Sequence, residues 1–118
     1  MADKQTPKNP LPPCPVTPNC IRTSRSYQTG MEKIFELLTQ IFDQEAQNYE
    51  ILNPKRIEIH AVYRIPLMGF KDDVDAIIEE EHGTTTLFIR SASRTGAYDL
   101  GVNKRRVRRI LRKLESRI

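Results

Sequence analysis

The chain has 118 residues, of which 38% are apolar and 29% are charged, and its formal net charge is +4. This length and composition are typical of one small globular domain. They exclude a bilayer-spanning helix, because no apolar run is long enough. Residues 1–30 also lack the apolar segment of a signal peptide, so we expect a cytoplasmic protein.

The charge is unevenly distributed along the chain. Residues 1–30 carry +3, residues 31–102 carry −6 and residues 103–118 carry +7. A basic segment of this kind predicts either a polyanionic partner or docking onto the acidic middle of the same chain. The matching charge of the middle favours docking. The lack of aromatic residues among the C-terminal cations argues against nucleic acid as a partner.

Proline dominates the N-terminal part of the chain, which holds six of the eight prolines. We expect residues 1–10 to form a flexible leader and residues 11–118 to form a single domain. Residues 11–30 should be an extended arm, because proline fixes φ and removes a hydrogen-bond donor. Cys14 and Cys20 should stay reduced in the cytosol, whereas an oxidising compartment would allow a disulfide between them.

Two amphipathic helices are predicted. The first spans residues 31–50, because Thr29 and Glu32 have capping-box spacing and apolar residues follow at helical intervals. The second spans residues 103–117, with Asn103 as its N-cap. The apolar residues of this second helix lie on one face and should be buried. They are Val107, Ile110, Leu111, Leu114 and Ile118.

Three strands are predicted between the helices, over residues 56–66, 72–81 and 85–93, because apolar and polar residues alternate in each. Their short connections favour an antiparallel meander. The predicted fold is α+β, in the order α-β-β-β-α, with both helices packed on one face of a three-stranded antiparallel sheet. The Pro-rich arm should cross the opposite, open face and cover Val62 and Phe88.

The open face should carry charged side chains. His60, Asp75 and Arg90 share the phase that points away from the helices, which is typical either of a solvated sheet surface or of a binding site. If the arm crosses this face, a second candidate site combines Asn19, Cys20 and His60. The cysteine and histidine spacing matches no zinc template, so we predict no metal site and no cofactor.

A larger polar cluster surrounds the end of the third predicted strand and the start of the last helix. Cations at a helix N-terminus oppose the helix dipole, so a negative group is expected beside them. This group is either Asp99, paired internally with Arg106, or an external phosphate, sulfate or carboxylate. Gly96 and Gly101 should adopt conformations that other residues disfavour. The candidate ligand-binding residues are Arg90, Ser91, Ser93, Arg94, Asp99, Asn103 and Arg106.

Two stretches of the sequence form a longer pattern, PNC at residues 18–20 and RSASRTGAYDLGVNKRRV at residues 90–107. Together they resemble the signature of domain-of-unknown-function family 1499. The resemblance implies a widespread bacterial family with some exported or membrane-anchored relatives, and it implies no particular activity. The chain departs from the family pattern at residues 21–23, where it has Ile-Arg-Thr in place of the usual Val-Ser-Ser.

These features predict a non-catalytic module that binds a small anion or an acidic protein partner at the polar cluster. The alternative is an enzyme that uses Cys20 or the Arg, Ser and Asp residues of the cluster. The Cys20 and His60 pair has no evident third residue to orient it, and the chain contains no glycine-rich phosphate loop. The sequence therefore favours binding over catalysis.

Overall fold

The sheet is wider than the sequence predicts, because one further strand lies at each edge of the three predicted strands. The computed structural model describes residues 8–53, 56–65, 69–95 and 99–118. In chain order these residues form β1 (Cys20–Tyr27), α1 (Met31–Glu45), β2 (Asn48–Asn53), β3 (Ile57–Arg64), β4 (Lys71–Glu81), β5 (Thr84–Ser93) and α2 (Val102–Ser116). The fold is α+β, as predicted. Residues 1–7 of the predicted leader lie outside the described residues.

The sheet is antiparallel throughout, and its strand order is β1-β5-β4-β3-β2. The predicted meander corresponds to β3, β4 and β5, which are neighbours both in sequence and in the sheet. The prediction of three strands in the order α-β-β-β-α is wrong, because one further strand lies at each edge. Each edge strand has a single neighbour and is mostly exposed or half-buried, so its sequence lacks the alternation of a covered strand.

The first edge strand comes from the predicted arm. Residues 20–27 follow the last proline of the arm, Pro18, so each of them keeps a backbone amide for pairing. Cys20 lies opposite Ala92 of β5, and the register continues to the pair of Tyr27 and Thr85. The arm as a separate extended element is therefore shorter than the predicted 11–30.

The second edge strand replaces the predicted end of the first helix. α1 ends at Glu45, and the amide of Gln47 already donates to the carbonyl of Val62 in β3. The helical spacing of Phe42 and Tyr49 is misleading, because Tyr49 reaches Phe42 from the strand, with ring centroids 5.9 Å apart. Tyr49 packs against the end of α1, and its spacing from Phe42 matches that of a helix although Tyr49 lies in β2.

Both helices pack on the same face of the sheet, and the core lies between the two layers. Val107, Ile110, Leu111 and Leu114 of α2 are buried, as predicted, whereas Ile118 is 51% exposed. The core is completed by side chains of α1 and of the three central strands, among them Ile34, Leu38, Ile41, Phe42, Ile59, Val74, Ile78, Leu87 and Ile89. None of the described helices is long and apolar enough to cross a membrane.

Both helices begin one or two residues away from the predicted caps. Gly30, rather than Thr29, is the N-cap of α1. Gly101 is the N-cap of α2, and Asn103 is already inside the helix, so the prediction that Asn103 caps it is wrong. Gly101 has a φ of 78°, the left-handed conformation that favours glycine. Gly96 lies outside the described residues.

The arm crosses the open face of the sheet, as predicted. Leu11 is buried in a small apolar cluster with Ile77 and Phe88, on the side of the sheet away from the helices. This cluster includes Phe88, which the arm was expected to cover, but not Val62. The N-terminal arm therefore covers part of the open face.

A disulfide joins the arm to the sheet. It links Cys14 of the arm to Cys20, the first residue of β1. Of the two states that the sequence left open, the structure has the disulfide, the state expected in an oxidising compartment. The bond fixes the segment between the two cysteines beside the open face.

Candidate functional site

One row of charged residues runs across the open face. Arg22 of β1 lies opposite Arg90 of β5, Arg90 lies opposite Asp75 of β4, and Asp75 lies opposite His60 of β3. Directly opposed residues of antiparallel strands point to the same side of the sheet. The predicted grouping of His60, Asp75 and Arg90 is therefore confirmed, and Arg22 extends the row.

A cleft of about 480 Å³ lies between this face and the arm, and we call it the open-face cleft. Its wall is formed by the segment that the disulfide holds in place, and its floor is formed by the three central strands. The lining residues are Pro15, Thr17, Asn19, Cys20, His60, Asp73, Asp75, Arg90, Ala92, Ser93 and Arg94.

His60 lies between two carboxylates of the cleft. Its Nε2 is 2.9 Å from Oδ1 of Asp73, and its Nδ1 is 3.4 Å from Oδ1 of Asp75. Burial raises the pKa of Asp75, and Asp73 raises it further, whereas His60 and Arg90 act in the opposite direction. The two carboxylates fix the orientation of the imidazole, and each can accept a hydrogen bond from the ring nitrogen that faces it.

The two arginines of the cleft have different partners. Arg94 makes a bidentate contact with Asp73, with distances of 3.0 Å from Nε to Oδ2 and 2.9 Å from Nη2 to Oδ1, and this contact raises the pKa of Arg94. Arg90 donates from Nε to the carbonyl of Pro12 at 3.0 Å. Its two Nη groups have no hydrogen-bond acceptor within the described part of the chain.

A second polar group lies on the other side of the sheet, beneath α2. The side-chain oxygen of Asn103 accepts hydrogen bonds from Ser91 and, at 2.8 Å, from Nη1 of Arg106. Its amide nitrogen donates to Oγ of Ser93 at 2.9 Å and to the carbonyl of Asn19 at 3.2 Å. We call these five residues the buried polar network. Ser93 and Asn19 also line the cleft, so they connect the two groups.

Asp72 adds a buried carboxylate to this side of the sheet. Its Oδ2 is 2.8 Å from Nη1 of Arg106, yet the two groups are not aligned for a hydrogen bond, and neither Asp72 oxygen has a donor among the described residues. The guanidinium also lies over the ring of Tyr63, 4.7 Å from its centroid. The sequence reading missed Asp72, although it shares the alternating phase of the buried Val74.

Asp99 organises the turn before α2. Its Oδ1 accepts from the amide of Gly101 at 2.8 Å, and its Oδ2 accepts from the amide of Asn103 at 3.0 Å. Burial tends to raise the pKa of Asp99, but the hydrogen bonds from Asn103 and Gly101 outweigh it and hold the pKa below its usual value. The expected contact with loop amides is confirmed, whereas Arg106 pairs with Asp72 instead.

The predicted site residues thus divide between two sides of the sheet. Arg90, Ser93 and Arg94 line the open-face cleft together with the second predicted group, Asn19, Cys20 and His60. Ser91, Asp99, Asn103 and Arg106 lie with α2. The sulfur of Cys20 is bonded to Cys14. The described residues contain no group of His, Cys, Asp and Glu arranged to hold a metal ion.

Several solved structures are similar to this chain at low sequence identity. Ara h 8.0201 is 14% identical, with a TM-score of 0.50 over 82% of this chain and 94% of that chain. Protein CV1439 from Chromobacterium violaceum is 10% identical, with a TM-score of 0.49 over 84% and 96% of the two chains. A START superfamily protein from Mycobacterium smegmatis is 15% identical, with a TM-score of 0.45 over 84% and 96%.

Similarity at this level of identity concerns the fold alone. No curated protein matches the chain. The family described as "Protein of unknown function (DUF1499)" matches residues 10–114, which include both motifs of the sequence pattern. The chain therefore belongs to this family.

Proposed function

We propose that the protein is a non-catalytic module that binds a small anion in the open-face cleft. The proposal rests on the hydrogen bonding of Arg90. Its Nε donates to the carbonyl of Pro12, but its Nη groups have no acceptor within the described residues. An arginine held at one nitrogen presents its remaining donors in a fixed geometry that suits a carboxylate or phosphate. Arg94 and Ser93 line the same cleft and would add further donors.

The buried polar network has a supporting role in this proposal. Ser91, Asn103 and Arg106 hold the start of α2 against β5, and Asn103 also fixes Ser93 and the carbonyl of Asn19 at the edge of the cleft. Asp99 holds Asn103 from the opposite side. These contacts fix the end of β5, from which Arg90 and Ser93 reach the ligand.

The charges of the cleft determine how binding depends on pH. Arg90 and Arg94 are balanced by Asp73 and Asp75, so a bound anion adds a net negative charge. Burial raises the pKa of Asp75, and protonation of this carboxyl would offset that charge. Anion affinity should therefore rise as the pH falls through the raised pKa of Asp75.

Calorimetric titration with inorganic phosphate and with acetate at neutral pH tests the proposal, and a second titration at mildly acidic pH tests the effect of Asp75. We expect saturable binding that is tighter at the lower pH, and a loss of about tenfold or more in affinity for Arg90→Gln. Arg25→Gln is the matched control, because Arg25 pairs with Glu115 away from the cleft. Equal affinity of the two variants, or no binding by the folded wild type, would contradict the proposal.

An acidic protein partner would present the same carboxylate chemistry. A glutamate-rich peptide distinguishes it from a small anion, because only a partner surface gains affinity from additional contacts outside the cleft. Binding of the peptide at concentrations where acetate and phosphate do not bind would favour the partner over the small ligand.

Acid–base catalysis at His60 is the second candidate function. Its two carboxylate neighbours orient the ring in the manner that general bases require. Cys20 cannot act as a nucleophile while it is bonded to Cys14. Turnover of ester or phosphoester substrates that is lost in His60→Gln, but retained in the Cys14→Ser/Cys20→Ser double variant, would favour this candidate over simple binding.

A further inference from the structure

The outward face of α2 is strongly basic. α2 contains a single acidic residue, Glu115, and its apolar side faces the core. The exposed cations lie on the remaining surface, on the side of the sheet opposite the open-face cleft. They are Lys104, Arg105, Arg108, Arg109 and Arg112.

Only part of this charge is neutralised within the protein. Arg109 forms an ion pair with Glu45 at the end of α1. Arg105 has a hydrogen-bond acceptor in the carbonyl of Leu100, but this bond does not neutralise its charge. Lys104, Arg108 and Arg112 make no ion pair with any described residue. Their spacing of four residues places them in one line along the helix, about 12 Å long at 1.5 Å per residue.

An exposed apolar residue lies in the chain just before α2. Leu100 is 70% exposed, and its φ of 57° lies in the left-handed region that is costly for a residue with a branched side chain. The conformation is held from both sides, because Arg105 donates to the Leu100 carbonyl at 2.8 Å and Asp99 holds the amide of Gly101. An exposed leucine in a fixed backbone conformation thus lies just before the helix that carries these cations.

A row of cations beside a fixed apolar side chain matches the surface of an anionic lipid bilayer. Headgroup phosphates attract several cations on one flat face, and the apolar layer just beneath them accepts a leucine. Nucleic acid would match the cations, but it offers no layer for Leu100, and sequence-tolerant binding of single strands relies on aromatic stacking. We propose that the outward face of α2, with Leu100 as its apolar contact, docks the protein on anionic lipid membranes.

This docking leaves the open-face cleft pointing away from the lipid. α2 and the cleft lie on opposite faces of the sheet, so the membrane contact and the proposed anion site use different residues. The proposal therefore stands or falls independently of the proposed function.

Co-sedimentation with vesicles tests the docking. We expect the protein to bind vesicles of phosphatidylcholine mixed with phosphatidylglycerol, to ignore vesicles of phosphatidylcholine alone, and to be released by high salt. The Arg108→Gln/Arg112→Gln variant should lose about tenfold or more in partition coefficient, as expected for two cations near the surface. Lys33→Gln/Lys71→Gln removes two exposed cations elsewhere and should bind as the wild type does.

Leu100→Ser separates a membrane from other polyanions. It should weaken binding to the anionic vesicles without changing affinity for duplex DNA, because only the bilayer contact uses the apolar side chain. Absence of binding to anionic vesicles at low salt would overturn the proposal. Tighter binding to DNA than to vesicles, with Leu100→Ser unchanged on both, would assign the face to nucleic acid. Salt-sensitive self-association that is lost in Arg108→Gln/Arg112→Gln and replaces vesicle binding would assign it to a second copy.

Discussion

Nη1 of Arg106 lies 2.8 Å from Oδ2 of Asp72 beneath α2, with only 6% of the arginine side chain and none of the aspartate exposed. The ring of Tyr63 covers the guanidinium. A buried ion pair adds little net stability compared with apolar residues of the same volume, but removal of one partner leaves the other as an unpaired buried charge. We therefore expect the pair to fix the position of α2 on the sheet more than to add net stability.

Arg106→Met should destabilise the protein by about 3–5 kcal/mol, because the Asp72 carboxylate is left without a counter-charge. The double variant Asp72→Asn/Arg106→Met should be more stable than Arg106→Met alone, since it removes both charges. Urea unfolding at neutral pH measures both effects. Arg108→Met, on the exposed face of the same helix, should change stability by less than about 0.5 kcal/mol. An equal loss in the single and double variants would mean that the charge pair is not coupled.

Asp99→Ala should destabilise the protein by about 1–2 kcal/mol, the usual effect of removing a carboxylate that satisfies amides at a helix start. The lost contacts are those to the amides of Gly101 and Asn103. Thermal unfolding monitored by circular dichroism gives the measurement. Thr95→Ala is the control, because this exposed residue lies in the same connection. If both variants unfold at the same temperature, the cap contributes nothing.

The elements that the sequence predicts best are those whose periodicity is set by one buried face. The apolar stripe of α2, from Val107 to Leu114, and the three central strands appear where their patterns indicate. The residues of the open face could also be predicted. His60, Asp75 and Arg90 have the same alternation phase, and they lie opposite one another on neighbouring strands. The periodicity of an element with one buried face is a local property of the chain, so it can be recognised from the sequence without knowing the fold.

Several features that depend on distant contacts were not predicted. Asparagine is a common N-cap, but the Asn103 side chain is hydrogen-bonded to Ser91 of β5 and to Asn19 beside β1. Gly101 occupies the N-cap position instead, and Asp99 accepts the hydrogen bond of the Asn103 amide. β1 pairs with a strand near the other end of the chain, so nothing local marks it as part of the sheet. Tertiary contacts therefore determine that β1 is the edge strand, and that the predicted polar cluster is divided between the open-face cleft and the buried polar network.

The Cys14–Cys20 disulfide should stabilise the native arm. Cys14→Ser/Cys20→Ser should lower the free energy of unfolding by about 2 kcal/mol, the loop-closure contribution expected for so short a ring. Urea unfolding with and without dithiothreitol measures it, and the reductant should destabilise the wild type but not the double variant. Two titratable thiols in the wild-type protein, purified and unfolded without reductant, would contradict the assignment.

Glu45 joins the end of α1 to α2 and β3, and it should make the stability depend on pH. Burial tends to raise the pKa of Glu45, but hydrogen bonds from Lys113 and Arg109 outweigh it and hold the pKa below its usual value. A carboxyl whose folded pKa is lowered stabilises the protein above its ordinary pKa of about 4.3 and loses that contribution as the pH falls through the folded value.

Glu45→Gln should therefore lower the free energy of unfolding by about 1–2 kcal/mol at pH 7 and by less near pH 3, where the wild-type carboxyl also approaches its neutral form. Urea unfolding at the two pH values measures the difference. Glu36→Gln is the control, because among the described residues Glu36 forms an ion pair with exposed Lys33 alone, on the surface of α1. Its effect should be small at both pH values. An equal loss for Glu45→Gln at pH 7 and pH 3 would show that the side chain acts through packing rather than through its charge.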